Sequence, residues 1–335
     1  MPATPTRSRV TLAAISSRAW EHPADRGALV ALGRLRGFDT VLKALSGLVS
    51  ERAVRLELLG SAVRVDERQF ASVHRMLTDV CAVLDAERVP ELYVSGNPVP
   101  GAVTIGMDQP VIVLTSGLVD LLDEEELAFV IGHELGHALS GHAVHQTLLQ
   151  RLIRLSVVLT AVPIGGLAVR AIMAALMEWS RKSELSADRA GLLATQDPAV
   201  AFRTHMKLAS GGHLEDLDLT SFLAQAREYD DAGDVRDSVL KMLLIEARSH
   251  PFAVVRAGEL RRWVDSGEYT AVLSGRYPRR GEDDGDLSDA AREAAQSYAE
   301  TFRQSQDALG RLVHDAAGVL GSVKGWLDQN LRRSS

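Results

Sequence analysis

Across its 335 residues the chain has a single cysteine, Cys81. No internal disulfide framework can form, and a reducing compartment suits the chain. Cys81 lies in SVHRMLTDVCAVLDA, among apolar residues at helical spacing, so it reads as a small core residue rather than a nucleophile. Positive charge is also scarce. Lys and Arg number 37 against 44 Asp and Glu, for a net charge of -7, and no long basic stripe occurs. That argues against nucleic acid as a partner. The first twenty residues lack a clean export signal, because the apolar run from Val10 to Ile15 is short and interrupted by Thr11. The expectation is a cytoplasmic protein that is not secreted. Internal repeats are absent from the sequence as well.

An unbroken membrane-spanning run is missing too. Leu155 to Met177 comes nearest, since a spanning helix needs ~20 apolar residues. Pro163, Gly165 and Gly166 interrupt it, and Arg170 sits inside it. The expected structure is two buried helices joined at that bend, with a membrane-inserted hairpin as the alternative. If the hairpin forms, the protein sits at the inner face of the cell membrane.

What remains is ordinary globular material, 46% hydrophobic and 24% charged. Residues 1–20 read as a flexible tail, 21–275 as the main domain, 276–289 as a charged linker and 290–335 as an amphipathic helical segment. Within the main domain 21–60 reads as largely helical, although RLELLGSAVRV (55–65) is short and β-compatible. Glu67–Ala86 is an amphipathic helix by its spacing. ELYVSG, AVTIG and PVIVLTSG are short β-rich runs between turn formers, which suggests a small sheet. Further helices are expected over 178–195, 198–209, 218–228, 235–248 and 252–266. Residues 290–331 suit packing on the main domain, with oligomerisation or membrane-surface contact as the sharper options.

The sheet leads into VIGHELGHAL, Val130–Leu139, which places three costly polar groups in an apolar helix. Asp123 is its candidate N-cap, with Glu126 at capping-box spacing, and Ser140-Gly141 its candidate end. His133 and His137 are four apart, so both imidazoles share one helix face and can share one metal ion. Glu134 is rotated by about 100° from His133 and can enter the same pocket as a base. Gly132 and Gly136 each cost the helix roughly 1 kcal/mol relative to alanine, so close packing must require their small size.

Catalytic zinc takes three protein ligands and one open position. A metzincin arrangement needs glycine at 140 and histidine at 143, where Ser140 and Ala143 stand instead. His142 and His145 are nearby but fall beyond the expected helix end. SRKSELSADRAGLLA offers Glu184, with Asp188 one turn on along the same face. A carboxylate so placed can hydrogen-bond the outer nitrogen of a metal-bound histidine.

HELGH followed by ELSAD resembles the M48 family of gluzincin metallopeptidases, which includes CAAX prenyl proteases and HtpX heat-shock proteases. The resemblance covers roughly residues 60–270. IVLTSGLVDLLDEEELAFVIGHELGH resembles the family's approach to its active site, and SHPFAVVRAGEL its His-Pro segment with a following arginine. The resemblance implies zinc held by His133, His137 and Glu184, with Glu134 as general base. It also implies Asp188 beside a zinc-bound histidine, most simply His133. His250 precedes a proline, so it is expected to start a helix beside the cleft and to stabilise the oxyanion or gate the metal, with Arg256 holding this segment in place as an outer partner of the ligands. PGAVTIG departs from the family's Asn-Ala motif at Gly101 and Ala102, yet Ala102, Val103 and Thr104 still suit a substrate-pairing edge strand.

The expected fold is α+β and mostly helical, with a zincin-like core, a small mixed sheet and a C-terminal amphipathic extension. The expected function is zinc-dependent endoproteolysis of polypeptides, in protein quality control. The alternative is a zinc-binding holdase of the same fold, which would have no need of Glu134.

Overall fold

A computed structural model describes residues 9–33, 51–106, 108–159, 166–231, 252–282, 288–297 and 299. Helix α1 (Pro23–Gly33) is followed by α2 (Glu51–Ser61), β1 (Ala62–Arg64) and α3 (Ala71–Val83). Then come β2 (Glu91–Ser95), β3 (Ala102–Ile105), β4 (Val111–Thr115), and helices α4 (Ser116–Leu121) and α5 (Glu124–Leu139). Helices α6 (His142–Leu159), α7 (Gly166–Thr195), α8 (Pro198–Ser210), α9 (Leu219–Asp231), α10 (Ala253–Asp265) and α11 (Glu268–Leu273) follow.

The strands form one mixed sheet in the order β1-β2-β4-β3, with β2 and β4 parallel and the outer pairs antiparallel. Alternation sorts their side chains. Leu92, Val94, Ile112 and Leu114 enter the main core with α3 and α5, while Tyr93, Val111 and Val113 pack with Leu58 of α2. Among the described residues β3 pairs only with β4 and is therefore an edge strand.

The run at 55–65 divides instead of forming one strand. Its first residues are helix formers and complete α2, and only Ala62–Arg64 finds a partner, antiparallel to β2. The helix expected from Glu67 begins later, at Ala71. Asp66 accepts hydrogen bonds from the N–H groups of Arg68 and Gln69, and this turn delays the helix.

Residues 9–20 are not the loose tail expected of them. Leu12, Ile15 and Trp20 are buried in the main core. The Leu12 N–H bonds to Val83 O at 2.8 Å, and Ile15 bridges Arg279 in the stretch expected as a linker. The apolar side chains supply the reason, since leaving three such groups in water would cost several kcal/mol.

Among the described residues no helix is long and apolar enough to cross a membrane. The 155–177 segment is shared between α6 and α7, while the Pro163-Gly165 bend lies outside the described residues, as do the 235–248 helix and 300–335. The start of the C-terminal segment is a helix over 289–297 whose Ala291 and Ala295 are buried. It lies on α1 at Gly27, where a Cβ would come within 2.9 Å of Ala291 O.

α5 is the central helix. Asp123 Oδ1 accepts from the Glu126 N–H at 2.9 Å, and Glu126 Oε2 accepts from the Asp123 N–H at 3.0 Å, completing the capping box. Lys207 of α8 donates to the same buried Glu126 carboxylate at 2.6 Å, which fixes the helix start in the core. The glycines of the quoted helix face α7. A Cβ on Gly132 would lie 2.5 Å from the Ala194 Cβ, and one on Gly136 would lie 2.5 Å from the Ala190 Cβ. Only glycine permits this separation, and it brings the histidine helix within reach of Glu184.

Candidate metal centre

His133, Glu134 and His137 of α5 and Glu184 and Asp188 of α7 are all buried. His133 Nε2 and His137 Nε2 are 3.2 Å apart. Glu184 Oε2 lies 3.5 Å from His133 Nε2, and Glu184 Oε1 lies 3.3 Å from His137 Nε2. These donors, one per residue, fall within 4.8 Å of one another, so the His-His-Glu group is able to hold a metal ion.

The hydrogen bonds behind the donors decide what fits between them. Asp188 Oδ1 lies 3.0 Å from His133 Nδ1, which gives that nitrogen a reason to carry the proton and frees Nε2 as a lone-pair donor. Two nitrogen lone pairs and a carboxylate then converge in a buried space and demand positive charge. A proton meets part of the demand. Burial works against a charged His133, but its hydrogen bonds to Asp188 and Glu184 prevail and push it up to about 9. Burial lowers His137, so one of the two rings takes the charge. A divalent cation satisfies all three donors at once, and two nitrogens with one carboxylate is a donor set of catalytic zinc.

Arg256 of α10 closes the back of the site. Its Nε donates to Asp188 Oδ2 at 2.7 Å and its Nη2 to Asp188 Oδ1 at 2.5 Å, a bidentate pair. Its Nη1 lies 3.2 Å from Glu184 Oε2. Burial would raise Asp188, yet Arg256 and His205 outweigh it and hold the carboxyl well below its usual range. Arg256 therefore does more than secure its own segment, because it touches the carboxylates on both sides of His133.

Glu134 points toward the sheet. Its Oε2 accepts from the Thr104 hydroxyl at 2.6 Å. Thr104 is fully buried, and its side chain serves the glutamate. Val103 turns to the opposite face of the sheet with the α2 cluster, and Ala102 packs partly buried on the main core. His250 lies outside the described residues.

Some partners were not foreseen. Gly141 adopts a left-handed φ of 70°, which starts a new helix at once and turns His142 back to the site. His142 Nδ1 lies 3.1 Å from His137 Nδ1, behind the ring and away from the donor cluster. The His145 ring lies tilted against Trp179 instead, at 5.1 Å between centroids. His205 of α8 is buried with its Nε2 3.6 Å from Asp188 Oδ2 and its ring edge-on to Phe129. A lone histidine on an apolar helix face carried no signal for this placement.

His205 has a consequence for stability. Burial lowers it to about 4, despite the opposing charge of Asp188. The unfolded chain takes up that proton near pH 6.5, so between 6.5 and 4 it binds more protons than the folded one. Stability from this group is therefore lost as pH falls through that window, by a few kcal/mol at most. Melting curves should show His205→Leu gaining stability relative to wild type as pH drops from 6.5 to 4.5. A difference in Tm that does not vary with pH would contradict the neutral, buried state.

Residues 67–264 match the model of Peptidase family M48. The chain is 35% identical over 264 residues to the plastoglobule-localized metallopeptidase 48, chloroplastic, of Arabidopsis thaliana, covering 76% of this chain and 74% of that one. It is 23% identical over 272 residues to the protease HtpX of Xanthomonas oryzae pv. oryzae, covering 72% of this chain and 88% of the relative. A shorter match, 36% over 75 residues, links it to protease HtpX homolog 2 of Methanosarcina mazei, over 22% and 25% of the two chains. No solved structure matches.

A buried His-His-Glu group with a glutamate directly after the first histidine defines a metal-dependent hydrolase of the HExxH class. The match over most of its length places it further: the chain belongs to peptidase family M48. It is a zinc-dependent metallopeptidase, and its substrates are polypeptides.

Proposed function

We propose that His133, His137 and Glu184 hold the zinc and that Glu134 is the general base. The observation that carries this reading is the convergence of the three donors within 4.8 Å beside a carboxylate anchored by Thr104. Bound zinc would supply Lewis acidity and lower the pKa of water toward ~7. Glu134 takes a proton from the attacking water and returns it to the leaving amine. Thr104 fixes one oxygen of Glu134, leaving the other to face the water. Asp188 holds His133 with its proton on Nδ1, and Arg256 balances the charge of Asp188 and Glu184.

The backbone of β3 at Ala102 and Val103 is the proposed partner of an extended substrate, because an edge strand can accept one more strand. Thr104 links that strand to Glu134, so the peptide would be laid beside the base. For His250 we retain a role at the oxyanion, supported by its place in the chain shortly before Arg256. A cytoplasmic location is supported by the lone, buried Cys81. A holdase that bound zinc without cutting would gain nothing from the bond between Thr104 and Glu134.

Chelation tests the reading. Casein cleavage should cease when 1,10-phenanthroline strips the metal and return on addition of zinc in equimolar amount. Cleavage that persists in protein shown to be free of metal would refute it.

A further inference from the structure

We propose that Asp25 and His142 are positioning residues that fix the metal-binding tautomer of His137, through a relay entering from outside the family domain. This rests on the zinc site proposed above. His142 Nδ1 lies 3.1 Å from His137 Nδ1, and His142 Nε2 lies 3.1 Å from Asp25 Oδ2. Asp25 is itself held from two sides. Trp179 Nε1–H donates to its Oδ1 at 2.9 Å, and the Ser186 hydroxyl donates to its Oδ2 at 2.6 Å. Asp25 is 1% exposed and His142 3% exposed, so neither exchanges these partners for water.

The proton positions follow from counting. A neutral imidazole carries one N–H and one lone pair. If His137 gives its Nε2 lone pair to zinc, its proton sits on Nδ1 and needs an acceptor. His142 Nδ1 provides it, which leaves the His142 proton on Nε2, directed at the Asp25 carboxylate. Each bond in the chain then has one donor and one acceptor. Gln146 Nε2 lies 3.3 Å from the same His137 nitrogen, and turning the amide over puts its oxygen there as a second acceptor for the Nδ1–H.

The two zinc-binding histidines are thus held by different means. Asp188, within the family domain, bonds His133 directly. His137 is held at one remove, by a carboxylate from α1, which lies ahead of the matched residues 67–264. α1 is in turn clasped at Gly27 by the helix over 289–297, which follows the matched region. Segments from both ends of the chain therefore bear on one ligand of the proposed site.

Zinc dissociation constants measured by chelator competition test the relay in wild type, His142→Phe, His142→Asn and Asp25→Asn. Outlying partners of metal-bound histidines are worth about 10- to 100-fold in affinity. We expect losses of that order for His142→Phe, and also for Asp25→Asn, whose single acceptor oxygen cannot meet the three donors from Trp179, Ser186 and His142 that the carboxylate meets. His142→Asn should recover most of the affinity, because its amide oxygen can accept from His137 Nδ1–H. A long-range proton–nitrogen spectrum of unaltered, zinc-loaded protein should show His142 as the Nε2–H tautomer, and this reading stands whether or not a variant folds. An Nδ1–H tautomer for His142, or wild-type zinc affinity in both His142→Phe and Asp25→Asn, would overturn the relay. His133→Ala separates the two claims. If it binds zinc as wild type does, the zinc site itself is misplaced; if it loses zinc while the His142 and Asp25 variants do not, only the relay fails.

Discussion

Glu134→Gln is expected to reduce peptide cleavage by about three orders of magnitude while one zinc per chain stays bound. The side chain keeps its length and can still accept from Thr104 through the amide oxygen, so the bond at 2.6 Å need not be lost. What disappears is the carboxylate that takes the proton, a contribution of roughly 10²–10⁴ in rate. Since the loss falls on a transition-state proton transfer, kcat should drop and KM should hardly change. Parallel zinc analysis and steady-state kinetics check both halves. A Glu134→Gln enzyme that cuts at the wild-type rate would remove Glu134 from the chemistry.

Glu184→Ala should abolish stoichiometric zinc binding, and cleavage with it. The two histidines alone offer two nitrogens where catalytic zinc takes three protein donors. The loss should exceed the ~10–100-fold typical of outlying hydrogen-bond partners, because a coordinating atom is removed. Arg256 keeps its bidentate bond to Asp188, so the fold should survive the change, and circular dichroism would verify that. Retention of wild-type zinc affinity would place the third donor elsewhere.

The heart of the site was legible because its chemistry is encoded at helical spacing. His133 and His137 are one turn apart, Glu184 and Asp188 are one turn apart, and the Asp123–Glu126 box marks where the first helix begins. Gly132 and Gly136 signalled close packing, although their partners, Ala194 and Ala190, required the fold. His142 was discounted because a glycine and a helix end stood between it and His137. It is not among the converging donors, but the left-handed turn at Gly141 brings it back against the outer nitrogen of His137, a contact the spacing did not reveal. Asp25 gave no signal, because an acidic residue in the first turn of a helix is usually at the surface. Thr104 was expected only as part of a substrate-pairing edge strand, and its bond to Glu134 was not foreseen. Alternation gives the face of a strand but not what covers it, and here α5 does. Residues 9–20 were misjudged for a similar reason: a short apolar run becomes core only when distant segments such as Val83 and Arg279 are there to meet it.

The most direct test of the central claim is the position of zinc in a crystal of the zinc-loaded protein, located by anomalous scattering at the zinc edge. The account predicts one strong peak bounded by His133 Nε2, His137 Nε2 and the Glu184 carboxylate, with His133 Nδ1 still on Asp188. Zinc absent there and found instead at the exposed His213, Glu215 and Asp216 group would contradict it.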